Sequence, residues 1–148
     1  MSTTQKSIEI DLPVATVYNQ WTQFEDFPMF MDGVQSVTQL DDKHLHWVAE
    51  IAGTHEEWDA EIIDQVPDQR IAWRATTGTT NDGVVSFESL GANSTQVTLD
   101  LDVEPEGLKE KIGEKLGFVS KQVEGDLERF KEFIESRGAE TGAWRGQV

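Results

Sequence analysis

The tightest constraint on how this chain can fold is the stretch from Glu57 to Arg74, where apolar residues alternate with polar ones on both sides of a Pro67-Asp68 turn. Trp58, Ala60 and Ile62 fall on one face, and Ile71, Trp73 and Ala75 continue that face after the turn. Asp59, Glu61, Arg70 and Arg74 occupy the opposite face. Side chains alternate sides along a strand, so this is an antiparallel hairpin with one oily and one wet surface. A turn centred on Pro67-Asp68 sets Glu61 opposite Arg74, Gln65 opposite Arg70 and Ile62 opposite Trp73. Opposite charges paired on a wet face contribute about 0.2–1 kcal/mol each, which gives them a structural role.

The rest of the chain must supply a partner for the oily face. Lys6 to Leu12 alternates with Ile8, Ile10 and Leu12 on one side, and a helix of about three turns follows from Pro13, capped at Asp11 or Leu12. That helix carries Val14, Val17, Tyr18, Trp21 and Phe24 at spacings of three and four. Glu25 to Met31 reads as a brief second helix or turn that packs Phe27 and Phe30, with Met29 and Met31, on the sheet, and Asp32-Gly33 closes it. Strand periodicity then returns. Val34, Ser36, Thr38 and Leu40 share a face, and in His44 to Ile51 the residues Leu45, Trp47, Ala49 and Ile51 point inward. Asn81-Asp82-Gly83 reads as a turn before Val84 to Leu90, with Val85 and Phe87 inward, and Thr95 to Val103 is the last strand.

Leu108, Ile112, Leu116, Val119, Val123, Leu127, Phe130 and Ile134 then form one helical stripe ending at Arg137, with Gly138 as its stop. Seven strands and one long helix bury their apolar faces most economically as a strongly curved antiparallel sheet gripping that helix, an α+β fold. Residues 1–138 read as a single domain, and residues 139–148 as a flexible tail whose Trp144 stays outside the core.

Composition excludes several function classes. With 28 acidic against 12 basic residues the formal charge is −16, which argues against nucleic acid or an anionic membrane surface as partner. No cysteine is present, so disulfides and thiolate chemistry are unavailable. No apolar run approaches the ~20 residues of a membrane span and no leader pattern opens the chain, so a cytoplasmic protein is expected. Neither G-x-G-x-x-G, a P-loop nor G-x-S-x-G occurs. His44 and His46 lie on one strand face. A hairpin centred on Ala52-Gly53 sets them opposite Glu61 and Asp59, with His55 nearby, and this reads as a solvated histidine/carboxylate ladder rather than a metal site. No cofactor is implied, and the oligomeric state is left open.

The order of elements, with FEDFPMFM after the first helix, EEWDAEI in the fourth strand and RIAWR in the fifth, resembles the START-related SRPBCC superfamily. Within it, the likeness is to the bacterial polyketide cyclase/dehydrase and lipid transport group, and it spans about residues 5 to 137. The resemblance implies a helix-grip fold whose cavity, between sheet and long helix, holds a hydrophobic small molecule such as a lipid, quinone or polyketide. The inward residues point to a cavity lined by Trp47, Trp58, Ala60, Ile62, Trp73, Phe87, Leu99, Leu116, Val119 and Val123, with Phe27, Met29, Phe30 and Met31 at its mouth. The alternative is a cyclase or dehydratase acting in the same space. Tyr18, Asp32 and Arg74 are its only polar candidates, and since the assigned inward positions are apolar or small, binding is favoured over catalysis. A cavity below about 300 Å³ would count against a binding role.

Overall fold

The computed structural model describes residues 3–31, 33–51, 54–78, 80–104 and 112–146, with backbone alone at residues 3, 51, 54, 80, 103–104 and 112–119. Seven strands run as β1 (Thr3–Ile10), β2 (Val34–Gln39), β3 (His44–Ile51), β4 (Thr54–Val66), β5 (Arg70–Gly78), β6 (Thr80–Gly91) and β7 (Ser94–Glu104). Helix α1 (Val14–Trp21) and a 3-10 helix (Phe24–Met29) link β1 to β2, and helix α2 (Ile112–Arg137) follows β7. The sheet order is β1-β7-β6-β5-β4-β3-β2 and every pair is antiparallel. The first strand therefore joins the last, and the sheet curves around α2 in the helix-grip arrangement. Val123, Leu127, Phe130 and Ile134 are the buried stripe of α2, and its end is fixed at Gly138, whose φ of 72° and N–H bond to Ile134 O (2.9 Å) stop the helix.

Local chemistry departs from the expected register in four places. Pro13 is itself the cap of α1, extended at ψ 148°, so the helix starts one residue later than a proline in its first turn would require, and it runs two turns rather than three. In β2 a register shift between Val34 and Ser36 turns Val37 inward, so Val37 is buried while Leu40 is exposed. In β4 the pairing Glu61–Arg74 and Ile62–Trp73 is as expected, but a bulge at Ile63 moves Gln65 opposite Ile71 instead of Arg70. Gln65 is thereby buried, and its Nε2 donates to Tyr18 Oη (3.0 Å). Asn81, Asp82 and Gly83 lie within β6 rather than in a turn. Their side chains hydrogen-bond neighbouring β5, with Trp73 Nε1 donating to Asn81 Oδ1 (3.1 Å) and Ala75 N to Asp82 Oδ1 (2.8 Å). The same polar groups that suit these residues to turns satisfy β5 here. The expected turns at Asp32 and Ala52-Gly53, and the start of the long helical stripe at Leu108, fall outside the described residues.

The Val66–Gln69 turn does follow its sequence. Gln69 N donates to Val66 O (3.0 Å), Pro67 sets the first corner, and Asp68 takes the left-handed conformation (φ 63°) that the second corner of a type II turn needs. Residues 139–146 have no helix or strand, in keeping with their lack of pattern, and Trp144 is outside the core cluster. A free tail does not describe them, however. They lie against α1 through main-chain and side-chain hydrogen bonds, among them Thr141 N to Gln20 Oε1 (2.9 Å) and Trp144 N to Thr22 Oγ1 (3.1 Å).

Candidate functional site

The concave face of the sheet and α2 border a cavity of about 110 Å³. Its wall is built from positions on six strands, β2 to β7, from α1 and the 3-10 helix, and from α2. On the sheet, Trp47 and Trp58 are a cross-strand pair on β3 and β4 with rings stacked at 9° and centroids 5.6 Å apart. Phe27 leans on Trp47 at 5.6 Å, and Trp21 packs edge-on against Phe130 of α2 at 4.9 Å. Trp73 is oriented by its bond to Asn81, and both line the space. Between these rings Ala49 leaves room. At Gly33 the space is already taken: a methyl there would meet the Gln122 amide and Glu50 O at 2.1 and 2.5 Å, so only glycine lets Gln122 of α2 approach the main chain here.

Of the residues expected to line the cavity, Phe27, Met31, Trp47, Trp58, Ile62, Trp73, Leu99 and Val123 do so. Ala60 and Phe87 are buried away from it, and Phe87 packs edge-on against Tyr18 (5.3 Å) and Trp21 (6.2 Å). The mouth is corrected at two positions, for one geometric reason. A 3-10 helix repeats every three residues, so Phe24, Phe27 and Phe30 stack down one side, with ring centroids 5.4 and 5.5 Å apart. Met29 falls on the opposite side and is 66 % exposed. Phe30 packs inward on Phe130 and Phe133 at 5.1 and 5.3 Å instead of facing the opening. Leu116 and Val119 lie outside the described side chains.

The wall also holds residues that strand-by-strand reading passes over: Trp21, Phe24, Val34, Leu45, Ile71, Leu101 and Leu127 among the apolar ones, and Asn81, Gln122 and Asp126 among the polar ones. Asp126 is paired with Arg129, whose Nε also donates to Phe30 O (3.1 Å). Beside the wall, Glu56 is only 3 % exposed and sits opposite Ala49 on β3. It shares parity with Trp58, Ala60 and Ile62, so carrying the alternation one step back from Trp58 would have found this inward carboxylate. Tyr18 and Arg74, two of the polar candidates, are away from the cavity, and Asp32 falls outside the described residues. The Tyr18 hydroxyl is pushed to a higher pKa chiefly by burial, and Arg74 Nη2 pairs with Glu61 Oε1 (3.1 Å) on the outer face.

The histidines form the outer-face ladder in the expected register, His44 opposite Glu61 and His46 opposite Asp59. His46 Nδ1 lies 2.7 Å from Asp59 Oδ1 and its Nε2 lies 3.1 Å from Glu57 Oε1. These bonds, to Asp59 first and Glu57 second, raise the His46 pKa and lower those of both carboxylates. Among the described residues no three histidines or carboxylates are grouped to hold a metal ion, and no helix is long and apolar enough to cross a membrane.

A family model described as polyketide cyclase / dehydrase and lipid transport matches residues 10–132. The chain belongs to that family. A relative from Streptomyces lincolnensis, described as an uncharacterized 17.2 kDa protein in the melC2-rnhH intergenic region, is 53% identical over 149 residues, covering 100% of this chain and 99% of its own. Two solved structures bear on the fold alone. A START superfamily protein from Mycobacterium smegmatis superposes with a TM-score of 0.71 at 20% identity, covering 91% of this chain and 95% of its own. The Zhui aromatase/cyclase from Streptomyces sp. R1128 gives 0.76 at 17% identity, covering 96% and 98%. Family and fold together fit a hydrophobic-ligand-binding or polyketide-cyclase role.

Proposed function

We propose that this family member binds a hydrophobic small molecule in the cavity between the sheet and α2. The observation that carries the reading is the wall itself, where stacked Trp47 and Trp58, with Trp21, Phe24, Phe27 and Trp73, surround a space bordered by the small Ala49. Aromatic walls of this kind gain most from apolar, planar guests. At about 110 Å³ the space falls below ~300 Å³ and so counts against a binding role on size; the apolar, aromatic wall is what supports the reading, for a small guest only. At 110 Å³ it admits roughly seven to eleven water-sized groups, taking one such group per ~10–15 Å³. The fit is therefore to a compact ring system or the head of a lipid, quinone or polyketide-like molecule. The proposed contact residues are Trp21, Phe24, Phe27, Met31, Trp47, Ala49, Trp58, Ile62, Trp73, Leu99 and Val123.

The test combines native mass spectrometry of purified protein with titration of 1-anilinonaphthalene-8-sulfonate, for the wild type and Ala49→Leu. Ala49 lines the cavity and is 2% exposed, so three added carbons must enter the space. The variant is expected to cost no more than the roughly 1–3 kcal/mol of a small-to-large change while losing at least tenfold in dye affinity. Unchanged affinity in Ala49→Leu, or a wild type that carries and takes up nothing, would sink the reading.

A further inference from the structure

The polar side of α1 is sealed. Asn19, Gln20 and Thr22 are all buried, and a buried amide or hydroxyl needs partners. Residues 139–146 supply them. Gln20 and Thr141 bond reciprocally, Thr141 N to Gln20 Oε1 (2.9 Å) and Gln20 Nε2 to Thr141 Oγ1 (3.2 Å). The Thr141 hydroxyl also donates to Asp26 of the 3-10 helix. Asn19 Nδ2 donates to Glu140 Oε2 (2.8 Å) and Trp144 N to Thr22 Oγ1 (3.1 Å). Arg145 then spans two elements, its Nη1 donating to Asn19 Oδ1 and its Nη2 to Asp68 Oδ2, both at 2.7 Å, with its guanidinium 5.6 Å above the Tyr18 ring. One short segment thus ties α1, the 3-10 helix and the β4–β5 turn together from outside.

The other side of those elements is the cavity wall. Trp21 lies between the strapped Gln20 and Thr22, and Phe24 and Phe27 flank the strapped Asp26. We propose that residues 139–146 are a strap that positions the α1 and 3-10 wall of the cavity, with Arg145 as its anchoring residue. The proposal rests on the reading that this cavity holds a ligand. Without the strap, Asn19 loses its Glu140 and Arg145 partners and Gln20 keeps only its long bond to Asp26 (3.4 Å), and α1 gains a low-energy local opening that carries Trp21 and Phe24 with it. Because linkage between binding events is reciprocal, a molecule that fills the cavity also holds the strap down.

Hydrogen–deuterium exchange on the wild type, on Arg145→Gln and on a chain ending at Gly138 tests this. Peptides spanning residues 17–30 are expected to exchange at least tenfold faster in both variants, with β6 and β7 unchanged. The ratio of 1-anilinonaphthalene-8-sulfonate affinity to decanoate affinity is expected to shift at least threefold, because a loosened wall changes which shape fits, whereas a loss of overall stability leaves that ratio alone. Uniform acceleration across the chain, or residues 17–30 exchanging as in wild type, would overturn the strap, and so would local acceleration with an unchanged ratio. If exchange accelerates locally while neither probe binds the wild type, the strap stands and the ligand role of the cavity falls. Should the shortened chain not fold, Arg145→Gln alone decides, since it removes two hydrogen bonds and leaves the main chain intact.

Discussion

Replacing Gly83 with alanine tests how the wall holds Trp73. Gly83 lies opposite both Trp73 on β5 and Leu101 on β7. A methyl there would sit 2.7 Å from Asp100 O, 2.7 Å from Trp73 Cζ2 and 3.2 Å from Leu101 Cδ1. Carbon contacts are comfortable at roughly 3.5–4.0 Å, so the neighbours must retreat by close to an ångström. Asp100 O is main chain in the centre of the sheet, so relieving both contacts takes a shift of the β6 or β7 backbone as well as of the indole, which strains the Trp73–Asn81 bond. Overpacking costs about 1–3 kcal/mol and the lost Trp73–Asn81 bond about 0.5–1.5, giving about 1.5–4.5 kcal/mol in all. Urea unfolding should show this as a midpoint lowered by about 1–2 M, accompanied by loss of dye affinity. Gly91→Ala is the control, since nothing lies within 4 Å of a methyl there, and it should stay within about 0.5 kcal/mol of wild type. Equal stability of the Gly83 and Gly91 variants would refute the claim that Trp73 is held by the space over Gly83.

Two further predictions concern the polar groups. The raised pKa of His46 means that its protonated form stabilises the fold below about pH 6.5, and that this contribution fades as pH rises through the higher folded value. Asp59 and Glu57, with lowered pKa values, contribute above the ordinary carboxylate range and lose that contribution as pH falls through their folded values. His46→Gln should therefore lower Tm more at pH 6 than at pH 9, and equal losses at both pH values would show that the ladder contributes nothing. Tyr18→Phe strands Gln65 Nε2 beside an Oε1 that has no partner among the described residues, at a cost of about 1–3 kcal/mol, and adding Gln65→Leu should recover most of it; a double variant as unstable as the sum of the singles would contradict the coupling.

How far sequence reading reached depended on whether a feature was local. The β3–β4 register was legible because parity and a short turn fix it together, and His46 opposite Asp59 followed directly. The same arithmetic failed at Gln65 because a bulge adds a residue without any residue type to announce it. Asn81-Asp82-Gly83 misled because polar turn formers can equally well satisfy a neighbouring strand, a choice that tertiary structure makes. Met29 was misplaced by assuming a continuous apolar cluster where a three-residue repeat sorts alternate sides. The docking of residues 139–146 was illegible because its partners, Asn19, Gln20 and Asp68, are far away in the chain and polar, and hydrophobic pattern says nothing about them.

The bulge at Ile63 gives the gene a place where length is negotiable. Ile63 has no partner on β5 and is exposed, while Ile62 before it and Gln65 after it both face inward. Deleting that one codon leaves Asp64 outward between them, so every other side chain in the hairpin keeps its side. Elsewhere in β4 a one-residue deletion would turn the downstream strand inside out. Selection acting on the shape of this pocket thus has two alphabets at position 63, the identity of the residue and its presence, and the second can change how far the sheet bends without rewriting the core.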